Sequence, residues 1–598
     1  MRTRLIALLL LLVGTYGCAE SPRPEVLMVR SPDSGAGNWG ALPALLGAKV
    51  VVESREDGAL PEGDLGRYKL IVLSTNLNVY ESERQRLWEY VNVGGKLVTW
   101  FADDARADRI FWPYRLVLSD RDPSAVTFAS SGHPLLKGLA GRKFEGTIQG
   151  GDVAKDWDRE HWQVLADTTD GPAMLLASYG KGWILDVQFH VGLSARHDAI
   201  APLVSNLIDW AGLTPVSPAD LAKRSREEVM LAVARHQLRT LQEGDWKRGT
   251  WAEVEQSRPP TGISWNYPWG VTLYGLLRVS AVTGDNTFAQ FVTRHNLIAA
   301  KQHDYLQWQK ATFGQAVRIG SLMEILRLSS LDDCGSMSSQ VVEGMLNYGA
   351  PRTTETLAMM QRVADYISHK QSRLPDGSLC RGSTLWIDDL YMSCPFLARW
   401  GTFTGDSKYW DDAARQLLNF AGRLQDKDGL WFHGWFNREG KVNGYKWGRG
   451  NGWALLSEVE VIGQLPEGHP DRARLMENLR RHIEGLEKVQ APSGLWRQVV
   501  DRPELWEETS CTGMYAYCIA RACNRGWIGK EHLVYARRAV DGLKAKVGWD
   551  GSVFDTCAGT GIGRSLEQYV ARPRPVNDGH GPGPVLLAFS EVLAAEGK

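Results

Sequence analysis

Four short stretches decide how the chain folds: PDGSLCRGS (residues 375–383), KDGLWFHGW (427–435), PSGLWRQVV (492–500) and WDGSVFDTC (549–557). Each centres on a glycine preceded by Asp or Ser, at Gly377, Gly429, Gly494 and Gly551, at intervals of 52, 65 and 57 residues. That period fits one helical hairpin with its loops. The tripeptide TGD also recurs, at Thr283–Asp285 and Thr404–Asp406. Each copy lies between two apolar helical stretches, where a glycine stop and an aspartate cap belong. Four units fill Gly377 to the C-terminus, and residues 222–376 leave room for about two more. Six hairpins closing on themselves predict an all-α (α/α)6 toroid over residues 223–598, with its cleft at one end of the inner helices.

The loops that lead into the predicted inner helices are unusually rich in functional side chains. They read TLWIDDLYM (384–392), YKWGRGNGW (445–453), EETSCTGMYAY (507–517) and NDGHGPGPVLL (577–587). An ordinary junction needs one cap and one turn residue. These gather Trp, Asp, Arg, Glu, Ser and His at the same end of successive helices, so residues distant in sequence are expected around one mouth. Burying an unpartnered charge is costly, and this predicts that Asp388 and Asp389, set in an apolar run, line a cleft. Pro395 places Asp388 at or before a helix start. Taken singly, each residue also has an ordinary reading: Asp388 as a cap, His433 as a structural histidine, Arg449 as a loop brace stacked on Trp447, and His580 as a bystander in a turn.

The totals bound the rest. At 598 residues the chain is expected to hold two domains. With 68 basic and 69 acidic residues and no basic stripe, nucleic acid is excluded as a partner. The 24 tryptophans divide between core packing and sugar-stacking platforms. Residues 1–20 read as an export signal: Arg2 and Arg4 precede an apolar run from Leu5 to Val13, too short to span a bilayer, and Cys18 stands where a bacterial lipoprotein is lipidated. The expected location is therefore periplasmic or anchored to the outer membrane, with membrane contact only through that lipid. The seven later cysteines form an odd set, which argues against a full disulfide framework. No ligand spacing points to a metal, and no cofactor is implied.

Residues 25–212 alternate strand-like runs (EVLMVR, AKVVVES, YKLIVLS, GKLVTWF, GWILDVQFH) with a helical stretch, SERQRLWEYVNVGG. This predicts a mostly parallel α/β sheet of flavodoxin-like layout. The segment resembles the class I glutamine-amidotransferase-like fold, with VQFHVG around His190 similar to that family's histidine segment. The family's nucleophilic cysteine has no counterpart, because no cysteine occurs between Cys18 and Cys334. The domain is therefore read as non-catalytic. LTPVSPADLAKR, around residues 213–222, reads as a linker.

Seven segments in order, WNYPWGVTLYGLL (265–277), LDDCGSM (331–337), LWIDDLYM (385–392), FHGW (432–435), KWGRGNGW (446–453), SCTGMYAY (510–517) and HGPGPVLLA (580–588), resemble glycoside hydrolase family 105, the unsaturated rhamnogalacturonyl hydrolases, and the related family 88 unsaturated glucuronyl hydrolases. The resemblance implies hydration of the C4–C5 double bond of a terminal unsaturated uronic acid left by a polysaccharide lyase. By that resemblance Asp388 is the acid/base. Asp333, or less favourably Asp332, is the second acid that repels it. Arg449 meets the substrate carboxylate, Trp447 and Trp386 stack on the ring, and His433, Asp389, Trp265 and His580 complete the subsite. The implied partner is an acidic oligosaccharide. Two other readings stay open: a conventional inverting glycosidase pairing Asp388 with Asp333 or Glu508, and a glycan-binding lipoprotein without activity.

Overall fold

The computed structural model describes residues 24–30, 46, 50–54, 60–74, 79, 81–100, 112–120, 125–145, 152–188, 200–317 and 319–597. The export segment, Cys18 and His190 lie outside the described residues. The chain divides into two compact units, one drawn mainly from residues 1–215 and the other mainly from 216–598.

The first unit is built on a nine-stranded sheet. Its strands are β1 (Val26–Arg30), β2 (Val50–Ser54), β3 (Leu70–Ser74), β4 (Lys96–Trp100), β6 (Ala125–Phe128), β7 (Lys143–Glu145), β9 (Trp162–Thr168), β10 (Pro172–Tyr179) and β11 (Gly182–Val187), in the order β2-β1-β3-β4-β11-β10-β9-β6-β7. Two further strands, β5 (Leu116–Asp120) and β8 (Asp152–Trp157), pair separately. The first five strands in that order run parallel. They follow the order 2-1-3-4-5 met in flavodoxin-like sheets, and the Val/Leu/Ile residues of β1, β3, β4 and β11 are buried. The remaining four are antiparallel, so the sheet is mixed rather than mostly parallel. The reason is local. The connections β9–β10 and β10–β11 are only a few residues long and turn on Gly171 (φ 139°) and Gly180 (φ 58°), which leaves no room for a crossover helix.

In the second unit, six helices form an inner ring: Tyr267–Thr283, Gly335–Asn347, Cys394–Thr404, Gly448–Ile462, Thr509–Asn524 and Pro582–Ala595. Each packs on the next, and the last returns to the first, so the ring closes at six. Six outer helices alternate with them in sequence: Arg226–Gln237, Thr287–Phe313, Thr354–His369, Ser407–Leu424, Arg472–Glu487 and Leu533–Leu543. The short helix Pro218–Ala222, capped by Ser217, occupies the segment read as a linker.

The repeated glycines explain the period. Gly377, Gly429, Gly494 and Gly551 all have φ between 84° and 90°, a region that favours glycine. In each turn the side chain at the preceding position, Asp376, Asp428, Ser493 or Asp550, accepts a hydrogen bond from the backbone N–H two residues on. A Cβ on Gly429 would lie 2.0 Å from the carbonyl of Arg481, on Gly494 2.3 Å from that of Arg538, and on Gly551 2.2 Å from that of Ala232. These three turns therefore rest directly on the backbone of another outer helix, and the last, Gly551, rests on the first. The TGD glycines act as stops: Gly284 and Gly405 adopt left-handed backbone and cap their helices.

A second feature lies in the C-terminal halves of the inner helices. Six charges, one from each helix, meet there in alternating sign: Arg278, Glu343, Arg399, Glu460, Arg521 and Glu591, while Glu458 turns outward to His482. Arg399 bonds Glu343 at 2.6 Å and also bonds Glu460. Glu591 meets Arg278 at 2.8 Å and Arg521 at 3.3 Å. Tyr274 and Tyr517 join through their hydroxyls and both reach Glu460. The seven described cysteines are buried and free.

Candidate active site

The N-terminal ends of the inner helices carry the polar junctions. Strand Thr384–Trp386 pairs with strand Gly434–Phe436, and this register sets the start of the short helix Asp388–Tyr391 beside His433. Pro395 lies in the first turn of the next helix, Cys394–Thr404, so Asp388 and Asp389 are confined to their own turn.

Asp389 is fully buried, and Arg381 holds its Oδ1 at 2.7 and 2.9 Å. The same guanidinium grips both oxygens of Asp332, at 2.8 and 3.0 Å, and stacks 4.7 Å over Trp386. Burial pushes the Asp389 carboxyl up to about 6; Arg381 opposes this, and Asp332 and Asp388 add to it. Asp332 is also raised by burial, again against Arg381. Arg381 answers why two neighbouring acids can sit in an apolar run: the buried one, Asp389, is the partner of a half-buried cation. Its signal in the sequence is only that such a pair requires one.

Asp388 is different. Its side chain is 15% exposed, and its Oδ2 lies 3.3 Å from Nε2 of His433. The approach is too poorly aligned to close a hydrogen bond, and neither atom has another partner; such contacts are often loose before substrate binds. Burial pushes Asp388 up, but His433 and Arg381 together prevail and hold it below the usual carboxylate range. His433 itself is fully buried, and its Nδ1 lies 2.6 Å from the hydroxyl of Tyr569.

Other expected site residues fall elsewhere. Asp333, read as the second acid, caps the turn Leu331–Asp333. It is 1% exposed and bonds Arg327, the N–H groups of Ser329 and Ser330, and the Ser329 hydroxyl. Burial raises its carboxyl, and these donors bring it below its ordinary value. Asp332, the less favoured alternative, is the one turned toward Asp389 and Arg381. Trp265 is buried, and its indole N–H donates to the carbonyl of Asp333 at 2.8 Å, which makes it a brace for that turn. Trp447 is buried between His433, at 4.5 Å, and Arg449, at 4.7 Å, so neither face is open to a sugar. Arg449 is buried as well. It bonds the carbonyls of Cys557 and Ala558 and the hydroxyl of Ser510, leaving only Nε without a partner. Glu508, the alternative base, caps helix Thr509–Asn524 and is saturated by Ser510, Cys511 and Cys557. Trp386 keeps partial exposure next to His433.

His580 is placed between Asp578, at its Nδ1, and the Tyr267 hydroxyl, 2.7 Å from its Nε2. Burial and nearby Arg449 push this imidazole down, so it is neutral, with Nδ1–H donated to Asp578 and Nε2 accepting from Tyr267. The charges of Asp388 and Asp332 act on Tyr267, which places it at the same mouth. Tyr267 and Tyr569 were not legible as site residues, since neither lies in a charged motif. Among the described residues no group of His, Cys, Asp and Glu could hold a metal ion, and no helix is long and apolar enough to cross a membrane.

Comparison with known proteins identifies relatives of the helical unit. A family model, Glycosyl Hydrolase Family 88, matches residues 245–595. The unsaturated rhamnogalacturonyl hydrolase YesR of Bacillus subtilis is 25% identical over 335 residues, covering 55% of this chain and 90% of that protein. The unsaturated 3S-rhamnoglycuronyl hydrolase of an Alteromonas species is 32% identical over 226 residues, covering 36% of this chain and 52% of its own. The chain thus spans about half the length of that second relative. A crystal structure of a possible member of the GH105 family from Salmonella enterica superposes with a TM-score of 0.50 at 22% identity, covering 62% of this chain and 95% of the other. That likeness shows a shared fold for the helical unit.

Proposed function

The chain belongs to glycosyl hydrolase family 88, and from that premise we propose that it removes a 4,5-unsaturated uronic acid from the non-reducing end of lyase-generated oligosaccharides by hydrating the C4–C5 double bond. One observation carries the reading. Asp388 and Asp332 are both partly exposed at the mouth, but Asp332 is gripped by Arg381 whereas Oδ2 of Asp388 faces only His433 and has no hydrogen-bond partner. Protonated Asp388 gives its proton to C4, and positive charge develops at C5 and the ring oxygen. Water adds at C5 and returns a proton to the Asp388 carboxylate. The resulting hemiketal collapses and releases the next sugar. Such proton transfer is worth about 10²–10⁴-fold in rate.

Asp388 is ionised in the free protein, so it must gain its proton as substrate binds. The arriving uronate carboxylate and the exclusion of water both act in that direction. Asp332, held by Arg381 at the same mouth, supplies further like charge and takes the role first read for Asp333. Trp386 is the remaining platform for the sugar ring. An inverting mechanism needs a free base to activate water, and both Asp333 and Glu508 are saturated by their own loops.

The first unit is proposed to be an amidotransferase-like module without catalysis, since no cysteine lies between Cys18 and Cys334. Export, with a lipid on Cys18, is proposed from the N-terminal sequence alone.

The test is to supply oligosaccharides from several lyases. Their ultraviolet absorbance, which comes from the conjugated double bond, is expected to fall with the wild-type protein and to persist with Asp388→Asn, at about 10²–10⁴-fold lower rate. Cleavage of a saturated glycoside with the absorbance intact overturns the hydration mechanism. Binding without turnover, unaffected by Asp388→Asn, assigns a glycan-binding role instead.

A further inference from the structure

Tyr569 takes no part in the mechanism above, yet its hydroxyl meets three partners. It lies in the short helix Leu566–Val570 and is fully buried. The N–H of Gly563 approaches its oxygen at 3.0 Å, Nδ2 of Asn443 at 3.0 Å, and Nδ1 of His433 at 2.6 Å. A phenol donates one hydrogen bond and accepts two. The backbone N–H can only donate. The Asn443 amide is oriented by its other contacts, with Oδ1 accepting from the N–H of Gly434 at 3.2 Å and Nδ2 donating to the carbonyl of Gly563 at 3.1 Å. Turned over, it would set oxygen against oxygen and nitrogen against an N–H, so Nδ2 is the atom that faces Tyr569.

Two donors therefore fill both acceptor positions of the phenol, and its own hydrogen must go to Nδ1 of His433. An imidazole that accepts at Nδ1 carries its single hydrogen on Nε2. That nitrogen is the one 3.3 Å from Oδ2 of Asp388. The titratable and charged groups around this histidine are Asp388, with Arg381 acting on that carboxyl, and Tyr569, with the ring of Tyr445 tilted against it at 5.5 Å. None of them offers Nδ1 an acceptor.

We infer that Tyr569 is a positioning residue that locks His433 as the neutral Nε2–H tautomer, so that Oδ2 of Asp388 always faces an N–H and the proton Asp388 transfers must ride on Oδ1. Oδ2 is buried, which leaves Oδ1 as the oxygen able to meet substrate. The lock has two consequences. His433 cannot take up the reacting proton, because its only free lone pair is occupied by Tyr569. The carboxylate left after protonation of C4 faces a donor 3.3 Å away and has only to align with it to close a hydrogen bond. Only the statement about the reacting proton rests on the proposed hydration; the tautomer is a property of the resting protein.

The tautomer is measured on the full-length chain with ¹⁵N-labelled histidine, by long-range ¹H–¹⁵N correlation, with His433 assigned by its loss in His433→Gln. The wild-type protein is expected to show an unprotonated Nδ1 and a protonated Nε2. Tyr569→Phe is expected to restore protonation at Nδ1 and to lower kcat about 10²-fold with KM little changed, as an orienting partner of a catalytic pair does. Asn443→Asp is a second variant. It turns the phenol hydrogen toward the new carboxylate and frees Nδ1 without removing the ring, so a misfolded Tyr569→Phe does not stall the test. A wild-type His433 protonated at Nδ1, or variants whose spectrum matches the wild type, overturns the inference. If the tautomer behaves as expected and no lyase product is turned over, the hydration reading fails and the lock stands.

Discussion

The two ends of the inner helical ring use the same residue types in opposite ways. In the C-terminal halves, Arg278, Glu343, Arg399, Glu460, Arg521 and Glu591 alternate in sign, and of their fully buried side-chain atoms only Arg278 Nε has no hydrogen-bond partner. At the N-terminal mouth, Asp388 Oδ2, Asp389 Oδ2, His433 Nε2, Trp447 Nε1 and Arg449 Nε are all buried without one. Buried polar groups are nearly always satisfied, so a cluster of exceptions at one end marks where something else is meant to bind or react. The alternating set at the other end gives each of these charges neighbours of opposite sign.

The largest effect expected from breaking this contrast is at the satisfied end. Arg399→Met strands Glu343 and Glu460 without their shared cation. Breaking a buried pair in this way costs about 3–5 kcal/mol, so the midpoint of urea unfolding should fall sharply. Asp388→Asn, by contrast, should leave that midpoint within about 0.5 kcal/mol of wild type or raise it, while turnover is lost. Equal loss of stability in both variants would erase the distinction between the two ends.

A smaller effect is expected from Asp389. Its folded carboxyl titrates at about 6, above the ordinary 3.8. The folded state therefore binds more protons than the unfolded state between these values. Its contribution to stability is full below about pH 4 and declines as pH rises to about 6. The whole change is at most on the order of 3 kcal/mol. Asp389→Asn should thus gain stability relative to wild type as pH is raised from 4 to 7. A difference that is flat with pH, or of the opposite sign, contradicts the burial argument.

The smallest contrast lies within the Asp332–Asp333 pair. Asp333→Asn removes a cap and should cost about 1–2 kcal/mol, with kcat unchanged. Asp332→Asn should leave stability nearer wild type and lower kcat. The reverse pattern would return the second acid to Asp333.

How far the sequence could be read follows from the same geometry. The period of the glycine turns gives the hairpin count, and the acids at the loop ends give the mouth, because both depend on local backbone chemistry. The choice between Asp332 and Asp333 does not, since successive residues of a 3₁₀ turn point about 120° apart and the register is set by Trp265 and Arg327 from outside the motif. The placement of Arg449 depends on carbonyls more than 100 residues away. Tyr569 shows in no motif, because its role comes from three partners that meet only in the folded chain. In the first unit, the buried parallel strands announce themselves as apolar runs, whereas the antiparallel half is set by turns built on single glycines.

The seat of Gly551 on the backbone of Ala232 has a consequence for biosynthesis. The first outer helix finds its last neighbour only after more than 300 further residues have been made, on the order of tens of seconds at ribosomal speed. Until then the nascent toroid is an open crescent with an uncovered apolar edge, and its completion is a single late event that a truncated chain can never reach.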